Sequence, residues 1–260
     1  MKIHTPHSSN ITALRQLWQE AFGDTDAFLD MFFQTAFCTD RCRCISIDNH
    51  IISALYWFDC LYENQKIAYL YAIATAKSYR GQGFCHKLMA DTHKQLYALG
   101  YSAVILVPGN TKLFRFYEHM HYKTCSYIKK FSCTSDNTNM SNFFIKKIDK
   151  CEYANYRRHY LPLNGVIQEN ENLDFLEQQA NFYTGFHDGS AFLLAASNET
   201  DNLYGIELLG DNSLAPKIVQ ALGYKKGTFR TPDGKVPFAM YLSLADNQCP
   251  PPAYFGLAFD

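Results

Sequence analysis

The chain lacks a long hydrophobic run and a strong net charge of either sign, and both absences exclude classes of function. None of its apolar stretches approaches the roughly 20 residues that cross a bilayer, and the N-terminus Met1–Pro6 has no apolar signal core. Lys+Arg 24 against Asp+Glu 25 gives a formal net charge of -1, which disfavours binding to nucleic acid or to an anionic membrane. With 47% hydrophobic residues, we expect a globular, cytoplasmic protein whose partners are small molecules or peptides.

The nine cysteines lack the spacing of a metal site. Cys38, Cys42 and Cys44 form C-x3-C-x-C without a second C-x2-C or an H-x3-H cluster. An odd number of scattered cysteines is typical of reduced thiols that pack as small hydrophobic side chains. We therefore expect no structural metal.

Hydrophobic periodicity predicts an α/β fold in the first half of the chain. The predicted order is α-α-β-β-β-α-β-α-β, over residues 10–22, 24–37, 44–47, 51–58, 66–75, 83–99, 103–107, 111–121 and 123–131. The polar run Cys133–Asn139 that follows is typical of a linker. We place a domain boundary there, which gives an N-terminal domain over 1–134 and a C-terminal domain over 141–260.

The second half is also predicted to be α/β. Helices are expected over 172–183 and 214–222, and strands over 190–196, 203–209 and 236–244. The succession of strand, glycine turn and helix over Ile206–Lys225 echoes the same succession over Ile105–Lys123. Duplication with divergence is favoured over chance similarity, and the echo places Ile218 opposite Tyr117.

A glycine-containing segment follows the predicted strand 66–75 and opens the predicted helix 83–99. The segment is Arg80-Gly81-Gln82-Gly83-Phe84-Cys85. At a helix start the first backbone amides lack partners and the helix dipole is positive, so glycines there let a phosphate approach the backbone. A tight turn is the alternative interpretation. The segment matches neither a P-loop nor, with His86 in place of a third glycine, a dinucleotide-binding fingerprint.

This segment and the later Leu113-Phe114-Arg115-Phe116-Tyr117-Glu118 together resemble the GCN5-related N-acetyltransferase (GNAT) superfamily. The hallmark of that family is R/Q-x-x-G-x-G/A at a helix start, followed by a helix with a tyrosine in an F/L-Y-E setting. The resemblance covers residues 1–132 in element order, and the two motifs lie within 70–124. It implies a mixed, mostly antiparallel sheet flanked by helices, and acetyl-CoA as the co-substrate of an N-acetyltransferase.

The resemblance also implies most of the site. It places the acetyl-CoA diphosphate on the amides of the glycine segment, and the pantetheine and acetyl carbonyl on the strand before it. The implied cofactor contacts are Ile73, Ala74, Thr75, Arg80, Gly81, Gln82, Gly83, Phe84, Cys85, Asn110 and Phe114. Cys85 stands where the family usually has Gly or Ala, and we expect an unreactive thiol there. Asn110 is also a candidate helix cap.

By the same resemblance, Tyr117 is the general acid that protonates the departing CoA thiolate. Packing among neighbouring aromatic rings is the alternative interpretation. The strand that often carries a carboxylate base in this family has none between Ile67 and Thr75. Other candidates for that base are Asp59, Glu63, His86 and Glu118.

The C-terminal run Pro250–Asp260 is unusually apolar for a chain end, so we expect it to dock. The layout in two halves loosely resembles tandem acetyltransferases of the enhanced-intracellular-survival type, in which the terminal carboxylate reaches the first active site. That resemblance makes Asp260 a candidate catalytic residue, with packing alone as the alternative. No R-x-x-G-x-G/A segment precedes the strand 203–209, so the second domain is predicted to be smaller, GNAT-like and degenerate.

These features together predict an acetyl-CoA-dependent N-acetyltransferase in which a primary amine of a small molecule or peptide attacks the thioester directly. A catalytically idle acyl-CoA-binding or regulatory module is the main alternative, favoured by the missing strand carboxylate. Aminoacyl transfer to peptides is disfavoured because the chain is not basic. The apolar tail and the aromatic content, Tyr 18 and Phe 20, are compatible with a homodimer.

Overall fold

The computed structural model describes residues 1–135, 140–197, 202–244 and 250–259. The helices are α1 (Ile11–Phe22), α2 (Asp26–Thr35), α3 (Phe84–Ala98), α4 (Thr111–Glu118), α5 (Lys150–Tyr160), α6 (Glu171–Leu176) and α7 (Ala215–Ala221). The strands are β1 (Lys2–His4), β2 (Cys42–Ile47), β3 (His50–Tyr62), β4 (Gln65–Thr75), β5 (Ala103–Leu106), β6 (Lys123–Thr134), β7 (Phe144–Ile148), β8 (Ile167–Gln168), β9 (Ala180–His187), β10 (Ser190–Ser197), β11 (Leu203–Gly210) and β12 (Lys226–Ser243). No helix within these described ranges is long and apolar enough to cross a membrane.

Two compact units share these elements. One comprises Met1–Lys123 with Met240–Pro251, and the other comprises Thr124–Ala239 with Pro252–Asp260. The division differs from the predicted 1–134 and 141–260, because the last residues of β12, from Met240 onward, belong to the first unit and its earlier residues belong to the second. The assignment of 1–134 and 141–260 as folding domains stays a prediction. Residues 136–139 of the predicted linker lie outside the described residues.

The first unit contains a mostly antiparallel sheet. β1, β2, β3 and β4 pair antiparallel in that order, and β4 pairs parallel with β5. α3 connects β4 to β5, since parallel neighbours need a crossover connection. β5 also pairs antiparallel with the end of β12, where Met240 lies opposite Leu106. The predicted mixed, mostly antiparallel sheet with flanking helices is confirmed.

Side chains of β4 alternate between two apolar clusters. Leu70 belongs to a cluster with Leu88 of α3, whereas the next residue, Tyr71, contacts Trp18 of α1. Successive strand residues point to opposite faces of a sheet, so α3 and α1 cover opposite faces of β4. One face of β4 therefore adjoins the start of α3, and the other adjoins an aromatic core.

Local sequence explains the turn between α1 and α2. Gly23 has φ 80 and its amide donates to the carbonyl of Gln19, which ends α1. The Thr25 hydroxyl then caps α2 by accepting from the amide of Phe28 at 3.2 Å. The short turn lets aromatic residues of the two helices pack together.

In the second unit, β9, β10 and β11 form an antiparallel meander and β11 pairs parallel with β12. The predicted helix over 172–183 is wrong in its second half, because α6 ends at Leu176 and β9 begins at Ala180. Ala180 and Phe182 are buried and pair with β10, and such cross-strand pairing overrides local helical spacing. Sequence analysis also missed α5, although Asp149 and Glu152 form a capping box at its start.

The second unit repeats the arrangement of β4, α3 and β5. Its antiparallel meander leads into β11, then α7, then the parallel strand β12. The predicted echo, which aligned this region with Ile105–Lys123, is therefore wrong in register, and Ile218 of α7 does not correspond to Tyr117. The loop after β11 reads Gly210-Asp211-Asn212-Ser213 and has no Gly-x-Gly. The second unit thus lacks the glycine segment of the first.

The C-terminal tail docks within the second unit, as expected. Phe255 and Leu257 are fully buried. The Ser126 hydroxyl accepts from the amide of Phe255 at 2.9 Å, and Gln168 bonds both the amide and the carbonyl of Leu257, at 3.1 and 2.6 Å. Asp260 lies outside the described residues.

A buried ion pair anchors the start of this tail. The Nε and Nη2 atoms of Arg157 lie 2.7 and 2.9 Å from the two carboxylate oxygens of Glu207. Tyr153 and Tyr254 donate their hydroxyls to the same carboxylate at 2.6 and 3.0 Å. Burial opposes ionisation, but the Arg157 charge and these hydrogen bonds outweigh it and hold the pKa of Glu207 below its usual range.

Candidate active site

The candidate site begins where β4 leaves β5. Registered pairing between these parallel strands ends at Leu70 and Leu106, whereas β4 continues to Thr75. Ala72 has φ 46, and the register of β4 with β3 shifts at this point. An inserted residue of this kind is a β-bulge, which bends the strand, and β4 pairs with β3 again at Ala74 and Thr75. The bend therefore lies where β4 has left β5, just before the glycine segment.

The glycine segment presents uncapped amides at the start of α3. Gly81 and Gly83 have φ 75 and 78, a left-handed conformation that glycine adopts without strain. Gly83 is the N-cap residue of α3, and no side chain caps the helix. An added Cβ at either glycine would meet no heavy atom within 4 Å. The first-turn amides of α3 thus face open space at the positive end of a helix dipole, which is the setting that binds phosphate.

Two side chains of the segment bond the backbone that leads into it. Arg80 Nε donates to the carbonyl of Thr75 at 2.9 Å, and Gln82 Nε2 donates to the carbonyl of Ser78 at 3.0 Å. Arg80 and Lys87 are exposed and carry positive charge on either side of the glycines. The loop is therefore fixed to the end of β4 and is electrostatically suited to a diphosphate.

The structure gathers predicted site residues from three elements into one apolar cluster. Tyr117 of α4 belongs to this cluster, and Ile73 of β4, Phe84 and Cys85 of α3, and Phe114 of α4 pack against it. The exposed residues Arg80, Gly81, Gln82 and Gly83 form the loop above the start of α3. Residues distant in sequence thus surround the opening between β4 and β5.

Tyr117 is 6% exposed and packs against two aromatic rings. Its ring centroid lies 5.2 Å from that of Phe116 and 5.7 Å from that of Tyr122. Burial, and then the neighbouring Cys85 thiol, raise the pKa of Tyr117 above its ordinary value, so its hydroxyl stays protonated near neutral pH. The ring contacts of Tyr117 agree with the interpretation that it is a packed core residue. Its protonated hydroxyl also has a proton to donate.

Burial raises the pKa of the Cys85 thiol to about 11. A thiol with that pKa is almost wholly protonated near neutral pH, so it is a poor nucleophile. The structure therefore agrees with an unreactive cysteine at this position, where the family usually carries a smaller residue.

Asn110 serves as the N-cap of α4. Its Oδ1 accepts from the amides of Lys112 and Leu113 at 3.0 and 3.2 Å. These bonds satisfy the capping interpretation, and cofactor contact by Asn110 stays a prediction.

The end of β4 is partly engaged within the protein. The Ala74 carbonyl accepts from the Ser53 hydroxyl at 2.7 Å, and the Thr75 carbonyl accepts from Arg80. Ile73 lies between these residues and the bulge. Of the three predicted strand contacts, the backbone of Ile73 is the simplest candidate for a thioester.

Two of the carboxylates considered for the base, Asp59 and Glu63, lie away from the glycine segment. Asp59 pairs with Ala68 in the sheet, accepts from the Tyr101 hydroxyl at 2.5 Å and lies 3.2 Å from Lys66 Nζ. Ala68 comes before the last pairing of β4 with β5, on the side away from the glycine segment. Glu63 lies farther still, in the turn between β3 and β4.

Sequence analysis missed Glu20, a carboxylate that the structure brings to the end of β4. Glu20 Oε1 accepts from the amide of Lys77 at 2.7 Å, although the two residues are 57 positions apart. Helical periodicity places Glu20 on the exposed side of α1 but carries no signal for this contact. Within the described ranges, no group of three or more His, Cys, Asp or Glu side chains is arranged to hold a metal ion.

Comparison with known proteins assigns the fold and the family. Residues 2–125 match the family model described as Acetyltransferase (GNAT) domain. No curated protein matches the chain in sequence. A GCN5-related N-acetyltransferase from Anabaena variabilis shares 12% identity with a TM-score of 0.73, over 94% of this chain and 73% of its own.

Two further solved structures are similar over both units. Eis1 from Mycobacterium abscessus gives 8% identity and a TM-score of 0.66, over 94% of this chain and 74% of its own. A tandem GNAT protein from the clavulanic acid biosynthesis pathway gives 8% identity and a TM-score of 0.56, over 95% of this chain and 100% of its own. At such identities the likeness concerns the fold.

The chain carries a GNAT acetyltransferase domain in its residues 2–125, which include the glycine segment and Tyr117. It is accordingly an enzyme of the acyltransferase class, and the family uses acetyl-CoA as acyl donor. The predicted family is confirmed.

Proposed function

We propose that the protein transfers the acetyl group of acetyl-CoA to a primary amine of a small molecule or peptide. The observation that carries this proposal is the glycine segment: Gly81 and Gly83 hold left-handed conformations at an uncapped helix start, beside the point where β4 leaves β5. Amides of Gly81 to Cys85 bind the diphosphate, and the backbone at Ile73 orients the thioester.

Transfer proceeds by direct attack within a complex of both substrates. The amine nitrogen bonds to the acetyl carbon while the carbon–sulfur bond breaks, and sulfur leaves with the bonding electron pair. Tyr117 gives its hydroxyl proton to this thiolate. The proton lost by nitrogen goes to a carboxylate base, for which Asp260 stays the prediction, and solvent water restores the phenol. Positioning of the two reactants supplies much of the acceleration.

The alternative is a module that binds acyl-CoA without catalysis. The absence of a carboxylate between Ile67 and Thr75 favours it, whereas the position of Tyr117 in one apolar cluster with Ile73, Phe84 and Cys85 favours the enzyme. The two functions differ in turnover and agree in cofactor binding.

Isothermal titration with acetyl-CoA, on the wild type and on Gly83→Trp, tests the cofactor site first. We expect binding by the wild type and its loss in the variant, because an indole would fill the space above the first-turn amides. Release of free CoA thiol with a panel of amines then separates enzyme from idle module. Binding with no release of CoA above the rate of hydrolysis would favour the module, and absence of wild-type binding would overturn the proposal.

A further inference from the structure

α1 runs alongside the part of β4 that extends beyond β5. Two contacts place it there, one on each side of Ile73. The ring centroids of Trp18 and Tyr71 lie 5.6 Å apart, and Glu20 accepts from the amide of Lys77 at 2.7 Å. The second half of α1 thus flanks the opening where the thioester is placed.

This flank is aromatic. Trp18 is 2% exposed and forms its floor, and the rings of Phe22, Phe28 and Tyr71 lie 5.8, 6.4 and 5.6 Å from it. Phe22 is 49% exposed, and Phe28 and Tyr71 are half-buried. We call these four residues the aromatic patch. Core packing accounts for Trp18, but it leaves the exposed ring of Phe22 on the surface beside the site.

The aromatic patch lies on the face of β4 opposite the cofactor loop. Leu70 points into the cluster that contains Tyr117 and the start of α3, and Tyr71 points to α1. A CoA held by the α3 amides approaches the opening from the α3 face. An acceptor amine must reach the acetyl carbon from a side that CoA leaves clear, and the α1 face is such a side.

Charged groups around the aromatic patch are engaged with neighbours. Asp24 accepts from Trp18 Nε1 at 2.7 Å, and Arg15 lies 3.5 Å from Asp26 and 2.7 Å from Asp30. A site for a polycation needs several carboxylates directed at the ligand. Here the acidic side chains of the α1–α2 turn bond to protein groups, Glu20 accepts from the amide of Lys77, and aromatic rings line part of the surface next to the opening.

We propose that the acceptor is an amine whose non-reacting part is a single apolar or aromatic group, and that Phe22 is a specificity-determining residue. This inference rests on the proposed function, since it concerns the second substrate of the same site. The apolar group packs on Phe22 and Tyr71 while the amine points toward Ile73. Offset or edge-to-face ring contacts of this kind contribute a few-fold to tenfold in affinity.

The test compares 2-phenylethylamine with spermidine and kanamycin as acceptors, by CoA thiol release at fixed acetyl-CoA. We expect kcat/KM for 2-phenylethylamine to exceed that of both polycations. Phe22→Ala should raise the KM for 2-phenylethylamine about three- to tenfold. Tyr97→Ala is the matched control, because Tyr97 is a 58% exposed aromatic residue on α3, and it should leave this KM unchanged.

A binding measurement keeps the inference testable if turnover is absent. Titration of 2-phenylethylamine into the CoA-loaded wild type should give heat that Phe22→Ala weakens and Tyr97→Ala does not. A preference for spermidine or kanamycin, or equal effects of both variants, would overturn the inference while leaving the proposed acetyl transfer intact. Loss of acetyl-CoA binding by the wild type would instead overturn the proposed function.

Discussion

Replacing Gly83 by alanine tests the diphosphate loop with the smallest addition of atoms. Gly83 has φ 78, and an added Cβ would meet no heavy atom within 4 Å. Holding alanine in the left-handed conformation costs about 1–2 kcal/mol, with no steric clash to add. For a chain of this size, that cost lowers Tm by about 2–8 °C.

The methyl group that Gly83→Ala adds lies at the start of α3, where it would separate a bound diphosphate from the backbone amides. Loss of one charge-assisted hydrogen bond costs about 1.5–3 kcal/mol. The Kd for acetyl-CoA should therefore rise roughly 10- to 150-fold. The effect on affinity is thus large, and the effect on stability is modest.

Gly100→Ala is the matched control for this experiment. Gly100 lies just beyond the other end of α3 with φ 83, and an added Cβ there also meets no heavy atom within 4 Å. It should lower Tm by a similar amount and leave the Kd for acetyl-CoA unchanged. Thermal unfolding and isothermal titration on the three proteins give both quantities. If Gly83→Ala binds acetyl-CoA as tightly as the wild type, the amides of this loop do not hold the diphosphate and the reasoning is refuted.

Three further predictions concern catalysis and stability. Tyr117→Phe should lower kcat about 10²- to 10⁴-fold with unchanged acetyl-CoA affinity, because it removes the proposed proton donor. The control is Tyr122→Phe, whose ring lies 5.7 Å away in the same cluster; it should lower stability and leave kcat unchanged. Equal losses of kcat in the two variants would contradict the assignment of Tyr117 as the general acid. Glu207→Gln should lower the free energy of unfolding by about 3–5 kcal/mol, because the Arg157 charge stays buried without its partner. Because the fold lowers the pKa of Glu207, its contribution to the free energy of unfolding is present above the unfolded pKa of about 4.3 and is lost as the pH falls below that value. The denaturation midpoint of the wild type should therefore drop over that pH range more than the midpoint of Glu207→Gln. Deleting Asp260 should lower kcat and preserve acetyl-CoA binding, and full activity after deletion would remove it as the base.

Consecutive residues determined much of the candidate site. The glycines of Gly81-Gln82-Gly83 are needed because the loop adopts left-handed conformations just before a helix, and Asn110 caps the next helix through amides two and three residues on. Periodicity likewise predicted α1, β4 and α3 to within a few residues. Each of these features depends on backbone geometry and burial within one element, which the local order of residue types encodes.

Only the tertiary structure decided the features that join distant residues. It turned the second half of the predicted helix 172–183 into a strand paired with β10, gave β12 to both compact units, and brought Glu20 to the amide of Lys77. It also opened the aromatic patch beside β4, where Trp18 meets Tyr71. Strand pairing and side-chain burial between residues far apart in sequence depend on how the elements assemble, and the periodicity of a single segment does not contain that information.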